Sequence, residues 1–228
     1  MEHLTSGCTA LDNILNGGFR YGDVSLIYGE ASSGKTTLTT NVVINHLLGD
    51  QWNKAYYIDS DGKLSIRRLV MIAGGDESIL KRLIIWTPKT FEEQSLIIES
   101  LPSVIIEEKA VVIIDSITGP YRFKAGDSRL TFTANKELNR ELGYLSEVAK
   151  TKNAAVIIVG QVHSVMDSDF QAVEPVANRL LRYWSDVILK LETTTVIGIR
   201  QALLEKPDSG ACRFKLSDIG ITEVNRTW

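Results

Sequence analysis

The sequence predicts an α/β fold with a mostly parallel central sheet. Three observations carry that prediction. Short runs rich in Val, Ile and Tyr alternate with longer amphipathic stretches. Most of the short runs lack polar alternation, as strands covered on both faces do. A glycine-rich turn joins the first such run to a helical stretch, a strand–loop–helix unit.

Core strands are expected at residues 24–28, 55–59, 82–86, 110–115 and 154–160. Helices are expected at 35–48, 64–72, 91–107 and 130–150. In the last of these, Leu138, Leu142, Leu145 and Ala149 recur at helical spacing and should face the sheet. Past about residue 186 the texture changes. The runs 187–192, 196–205 and 211–216 are joined by turn-rich segments such as Lys206-Pro207-Asp208-Ser209-Gly210, which predicts antiparallel hairpins extending the sheet. Segments 115–130 and 162–175 read as loops. They follow core strands at their C-terminal ends, where open α/β sheets place ligands. A chain of 228 residues suits a single domain, 1–228.

With 44% hydrophobic residues there is ample material for a core. The net charge of −3 excludes an overall positive field, so any DNA contact must come from local basic loops. Cys8 and Cys212 are far apart in sequence and suggest no disulfide framework, which fits a reducing cytoplasm. The start, Met-Glu-His-Leu-Thr-Ser, lacks the segments of a signal peptide, and the apolar runs are too short to span a bilayer. A soluble, cytoplasmic protein without a membrane partner is expected. The three histidines are scattered; His46 reads as a packing or surface residue.

Gly29-Glu30-Ala31-Ser32-Ser33-Gly34-Lys35-Thr36 matches the phosphate-loop pattern G-x-x-x-x-G-K-[ST] in full, and Thr37 continues into the helix. Glycines let main-chain N–H groups converge on phosphates, and the helix N-terminus adds partial positive charge. Lys35 is expected to reach the β/γ-phosphates and Thr36 to ligate Mg²⁺. The run Val111-Val112-Ile113-Ile114-Asp115 is an apolar strand ending in an acid, so Asp115 becomes the second magnesium residue, in part through water. ATP with Mg²⁺ is the expected ligand.

Hydrolysis needs a group that orients or deprotonates water. The strand 55–58 runs into Asp59-Ser60-Asp61-Gly62; alternation makes Asp61 the better catalytic candidate, with turn capping by both acids as the alternative. Gln161, at the end of the 154–160 strand, could bond the γ-phosphate and report it to the following segment. Lys63, Arg67 and Arg68 form a basic cluster that reads first as a solvated helix face.

The lead-in Thr5-Ser6-Gly7-Cys8-Thr9-Ala10-Leu11-Asp12-Asn13-Ile14-Leu15-Asn16-Gly17-Gly18 resembles that of the RecA/RadA recombinases. Together with the phosphate loop, Ile58-Asp59-Ser60-Asp61, Ile114-Asp115-Ser116, Gly160-Gln161-Val162 and Tyr183-Trp184-Ser185-Asp186, it spans nearly the whole chain. The resemblance is strongest to the short archaeal RadA paralogues of the RadB type. It implies a RecA-like ATPase core, a nucleotide-sensing role for Gln161, and DNA-binding loops at about 117–130 and 162–177. Arg122, Lys124 and Arg129, with His163, are then candidates for DNA contact. Family recombinases carry Glu where this chain has Asp61, which implies slow turnover. The sequence starts at the core, without the linker that docks RadA subunits, so a filament by that route is not expected.

The function implied is an ATP-binding accessory to a RadA-type recombinase, acting on single-stranded or branched DNA. An active DNA-dependent ATPase that exchanges strands, and a KaiC-like signalling ATPase without a DNA role, remain as alternatives.

Overall fold

The computed structural model describes residues 3–106, 108–123, 128–167 and 170–224; the side chains of 122–131 and 163–173 lie outside that description. In chain order the elements are β1 (His3–Leu4), α1 (Thr9–Ile14), β2 (Phe19–Arg20), β3 (Val24–Gly29), α2 (Lys35–Gly49), β4 (Ala55–Ile58), α3 (Ile66–Ile72), β5 (Leu83–Trp86), α4 (Phe91–Val104), β6 (Val111–Asp115), α5 (Ser128–Thr151), β7 (Ala155–Gly160), β8 (Val162–Asp167), β9 (Phe170–Pro175), α6 (Asn178–Trp184), β10 (Val187–Thr193), β11 (Ile199–Lys206), β12 (Gly210–Ser217) and β13 (Gly220–Glu223).

The main sheet has the order β13-β12-β11-β10-β3-β7-β6-β4-β5. From β10 to β5 its neighbours pair in parallel, and from β10 to β13 they pair antiparallel. The expected mixed sheet is therefore present, with one refinement. The segment read as the first C-terminal hairpin strand, β10, is itself part of the parallel sheet, against β3. The direction changes one strand later.

Side-chain alternation in the central strands sorts residues between two cores, one on each face. Ile27, Tyr57, Val111, Ile113 and Ile157 pack with Leu38 and Val42 of α2 and Leu69 of α3. Leu26, Tyr56, Ile58, Val112 and Ile158 pack with Ile98 of α4 and Leu138, Leu142 and Leu145 of α5. Burial on both faces explains the absence of polar alternation in these strands.

Several expected boundaries move. Helix α3 begins at Ile66 rather than at 64, because the Ser65 side chain accepts from the Arg68 N–H and caps it. Helix α4 is capped likewise by Thr90 and ends at Val104, short of 107. The segment expected as a loop at 115–130 holds a 3₁₀ turn at Pro120–Phe123, and α5 starts at Ser128. The segment 162–175 is not a loop but a hairpin, β8 with β9. Its two halves pair only with each other, so it carries none of the continuous apolar pattern that marks a core strand. Residues 196–198, read as strand, precede β11 as a turn closed by Ile199 N–H to the Val196 carbonyl.

Candidate nucleotide-binding site

Strand β3 is buried along its length and delivers Gly29 to the C-terminal edge of the sheet. The phosphate loop turns there and feeds α2. Both of its glycines are required by space as well as by conformation. At Gly29, φ +150°, a Cβ would stand 2.0 Å from the Leu191 carbonyl oxygen of β10. At Gly34, φ +101°, it would stand 3.0 Å from the Leu216 side chain. Gly34 is the N-cap of α2 and offers no side-chain bond to the first-turn amides, so those donors remain for a ligand.

Lys35 Nζ donates to the carbonyls of Gly29 (2.8 Å) and Glu30 (2.7 Å). Burial lowers its pKa, and the Asp115 charge opposes that shift. The Thr36 hydroxyl donates to Asp115 Oδ2 at 2.7 Å, and the Tyr57 hydroxyl donates to the same oxygen at 3.0 Å. Burial raises the Asp115 carboxyl, the two hydroxyls pull it back, and Asp61 and Asp59 push it up again. Three acids at the ends of two adjacent strands thus lie close enough for Asp61 and Asp59 to act on the Asp115 carboxyl. Among the described residues no group of three or more His, Cys, Asp or Glu could hold a metal by itself. Thr36 with Asp115 fits instead the way magnesium is held, by few protein oxygens together with phosphates.

Asp59 and Asp61 have different surroundings. Asp59 caps the following turn, accepting from the N–H groups of Lys63 (3.0 Å) and Leu64 (2.9 Å). Asp61 faces the cleft. Its carboxylate accepts from Gln161 Nε2 (3.0 and 2.9 Å), from Ser116 Oγ (3.1 Å) and from Lys63 Nζ (3.0 Å). Gln161 is anchored in turn through its main-chain N–H on Thr118 Oγ1 (3.0 Å). The two residues singled out for hydrolysis are therefore hydrogen-bonded to each other.

Lys35, Thr36, Asp61, Asp115 and Gln161 line one cleft of about 720 Å³, with Gly29, Ala31, Ser32, Gly34, Thr37 and Ser116. Glu30 contributes its carbonyl to Lys35, while Ser33 is buried beneath the loop. The cleft also holds residues that sequence reasoning missed. Lys63 and Arg68, read as a solvated face, both line it, and Arg68 reaches the Ser217 carbonyl at 3.4 Å. Arg200 of β11 braces the phosphate loop through the Ser32 carbonyl at 3.0 Å. Tyr57 had a usable signal, since it lies two residues before Asp59 on the strand face that carries Asp115. Arg200 had none, because only the fold-back of β11 brings it there.

Of the DNA-contact candidates, Lys124 and the side chains of Arg122, Arg129 and His163 lie outside the described residues. The backbone around them starts at the sheet edge that holds the cleft: the 3₁₀ turn follows β6, and the β8–β9 hairpin follows β7. His46 packs in the core as expected, bonded to the Tyr21 hydroxyl (3.0 Å) and the Lys54 carbonyl (3.1 Å); burial lowers its pKa to about 4. Among the described residues no helix is long and apolar enough to cross a membrane.

Comparison with known proteins agrees with this geometry. The Rad51 family model matches residues 1–223. A protein of Methanosphaera stadtmanae named DNA repair and recombination protein RadB is 34% identical over 220 residues, covering 93% of each chain. Its namesake from Thermococcus kodakarensis is 36% identical over 229 residues, covering 97% of this chain and 99% of that one. A solved structure described as the RadB recombinase superposes with a TM-score of 0.82 at 34% identity, covering 97% of this chain and 99% of its own. With a family match over nearly its full length and RadB relatives at this identity and coverage, the chain belongs to the Rad51 family, in its RadB group.

Proposed function

We propose that this chain is an ATP-binding accessory factor in DNA recombination and repair, a single ATPase core in which bound nucleotide sets the segments after β6 and β7. The observation that carries the proposal is the 2.7 Å contact between the Thr36 hydroxyl and the Asp115 carboxylate, at the mouth of a complete phosphate loop. In this reading the loop amides and Lys35 bind the phosphates, and Thr36 with Asp115 holds magnesium. When bound, the ion neutralises charge on the phosphates. The DNA repair and recombination role is supported by the names of the relatives.

Gln161 is suited to report the terminal phosphate. Its side chain holds Asp61 and its main chain holds Thr118, so a shift of Gln161 is felt on both segments. Asp61 is the acid that would orient water. Turnover is slow in this account, because both carboxylate oxygens are already engaged and Asp holds its carboxylate one methylene further back than Glu. A misplacement of about 1 Å can cost on the order of 10²-fold in rate. Arg122, Lys124, Arg129 and His163 are the proposed contacts to single-stranded or branched DNA, a RadA-type recombinase is the proposed partner, and the cytoplasm is the proposed compartment.

The test is ATPase rate with and without single-stranded DNA, beside salt-dependent DNA binding and a pull-down with the host recombinase. Magnesium-dependent ATP binding, slow turnover and recombinase capture are expected, and Asp61→Glu should raise turnover. Strong DNA-stimulated turnover in the parent would refute the accessory role. Binding of neither DNA nor recombinase would favour the signalling alternative.

A further inference from the structure

We propose that Lys63 is a ligand for the terminal phosphate of a bound nucleoside triphosphate, and that through it the cleft distinguishes triphosphate from diphosphate. The inference rests on the nucleotide-binding function proposed above and adds to it a residue outside the phosphate-loop motif.

Lys63 combines a tethered backbone with an exposed side chain. Its main-chain N–H is tied to Asp59 Oδ1, so the residue is anchored to the end of β4. Its side chain is 69% exposed, and Nζ rests on Asp61 Oδ2 at 3.0 Å. That position is a junction. Lys63, Asp61 and Gln161 line both the phosphate-loop cleft and an adjoining cavity of about 590 Å³, which Ser60, Lys89, Gly119 and Pro120 complete. Residues of the phosphate loop and the Asp61–Lys63–Gln161 group line the same cleft. A chain of phosphates that starts on the loop amides and runs toward that group meets Lys63 with its last member.

Electrostatics favours the transfer. The Lys63 end of the Lys63–Asp61 pair is open to water, which screens part of its attraction to the more buried carboxylate. A phosphate with more than one negative charge, in a cleft that excludes part of the water, is a stronger acceptor for the same ammonium. Lys35 and Lys63 line the same cleft, so a polyanion bound there has an ammonium group at hand from the phosphate loop and another from the segment after β4. Moving Lys63 to the phosphate also takes one of the donors off Asp61, the acid proposed to orient water. The Asp61 carboxylate thereby loses its cation only when a terminal phosphate is present, while it keeps the Gln161 and Ser116 bonds.

Calorimetric titration of the full chain with magnesium and either a non-hydrolysable ATP analogue or ADP tests this. The parent should prefer the triphosphate. Lys63→Met should weaken the ATP analogue by about tenfold, as expected for loss of one charge-assisted bond, and ADP by less than about twofold. Lys63→Arg should keep most of the preference. Thermal melting should be little changed, because the side chain is exposed. Equal losses for both nucleotides, or an unchanged ratio, would overturn the role of Lys63 while leaving nucleotide binding in place. A parent that binds neither nucleotide would overturn this inference together with the function it rests on.

Discussion

Replacing Glu141 by Gln should stabilise the protein at neutral pH, by an amount that grows with pH. Glu141 lies on α5 with its carboxyl buried between Ser95 and Gln94 of α4. Ser95 Oγ stands 3.0 Å from the Phe91 carbonyl and 2.6 Å from Glu141 Oε1. The one hydroxyl hydrogen of Ser95 serves two acceptors, the Phe91 carbonyl and Glu141 Oε1, so it satisfies the buried carboxyl only in part. Burial raises the Glu141 pKa from 4.5 to about 8, with the Ser95 and Gln94 bonds opposing, Glu137 raising it further and Arg140 lowering it. Between those two values the folded chain holds a proton that the unfolded chain has released, so stability falls as pH rises through that window. Each pH unit above 4.5 costs about 1.4 kcal/mol, so the cost at pH 7 is on the order of 3 kcal/mol and at pH 5 under about 1 kcal/mol. Glutamine can make both bonds, donating to Ser95 Oγ and accepting from Gln94 Nε2, and carries no such cost. Urea unfolding of parent and Glu141→Gln at pH 5, 6, 7 and 8 measures the difference directly, since all other titrating groups cancel. A stability gap that stays constant across that range would refute a neutral Glu141. Glu141→Leu serves as the contrast. It also escapes the proton cost, yet it leaves the Gln94 amide short of an acceptor, at about 1–3 kcal/mol.

Two further substitutions probe the phosphate loop. Gly34→Ala should weaken magnesium–ATP binding by roughly tenfold or more in calorimetry, because φ +101° and the Leu216 contact force the loop to shift, a strain of about 1–3 kcal/mol. Thr36→Val keeps the shape but removes the hydroxyl beside Asp115, so nucleotide binding should become weaker and lose most of its difference between magnesium and EDTA.

The need for a costly buried acid becomes clear from what Gln94 does. Its Oε1 accepts from Ser60 Oγ at 2.6 Å, next to Asp61 in the chain. Its Nε2 donates to the Ile117 carbonyl (3.2 Å) and to Glu141 (3.0 Å). One amide thus ties the end of β4, the segment leaving β6 and the long helix α5. An apolar residue at 141 would pack as well but would not orient that amide. The cost of the buried proton is offset by a site edge with fixed geometry.

This also explains which parts of the site were legible in the sequence. The phosphate loop and Asp115 were readable because their chemistry depends on neighbours in the chain: glycines at fixed spacing before a helix, and an acid at the end of an apolar run. The parallel strands were readable for the same reason. Lys63, Arg68 and Arg200 owe their place in the cleft to residues far away, and a basic cluster after a turn has the same local pattern whether it faces water or a phosphate. The β8–β9 hairpin pairs only with itself, outside the main sheet, so it lacks the continuous apolar run of the core strands. Glu141 is the intermediate case. It stands between Leu138, Leu142 and Leu145, and one charged residue on an otherwise apolar stripe is a local signal of a buried polar contact. What the sequence could not supply was its partner, because Ser95 and Gln94 are more than forty residues away and meet it only once α4 and α5 pack on the same face of the sheet.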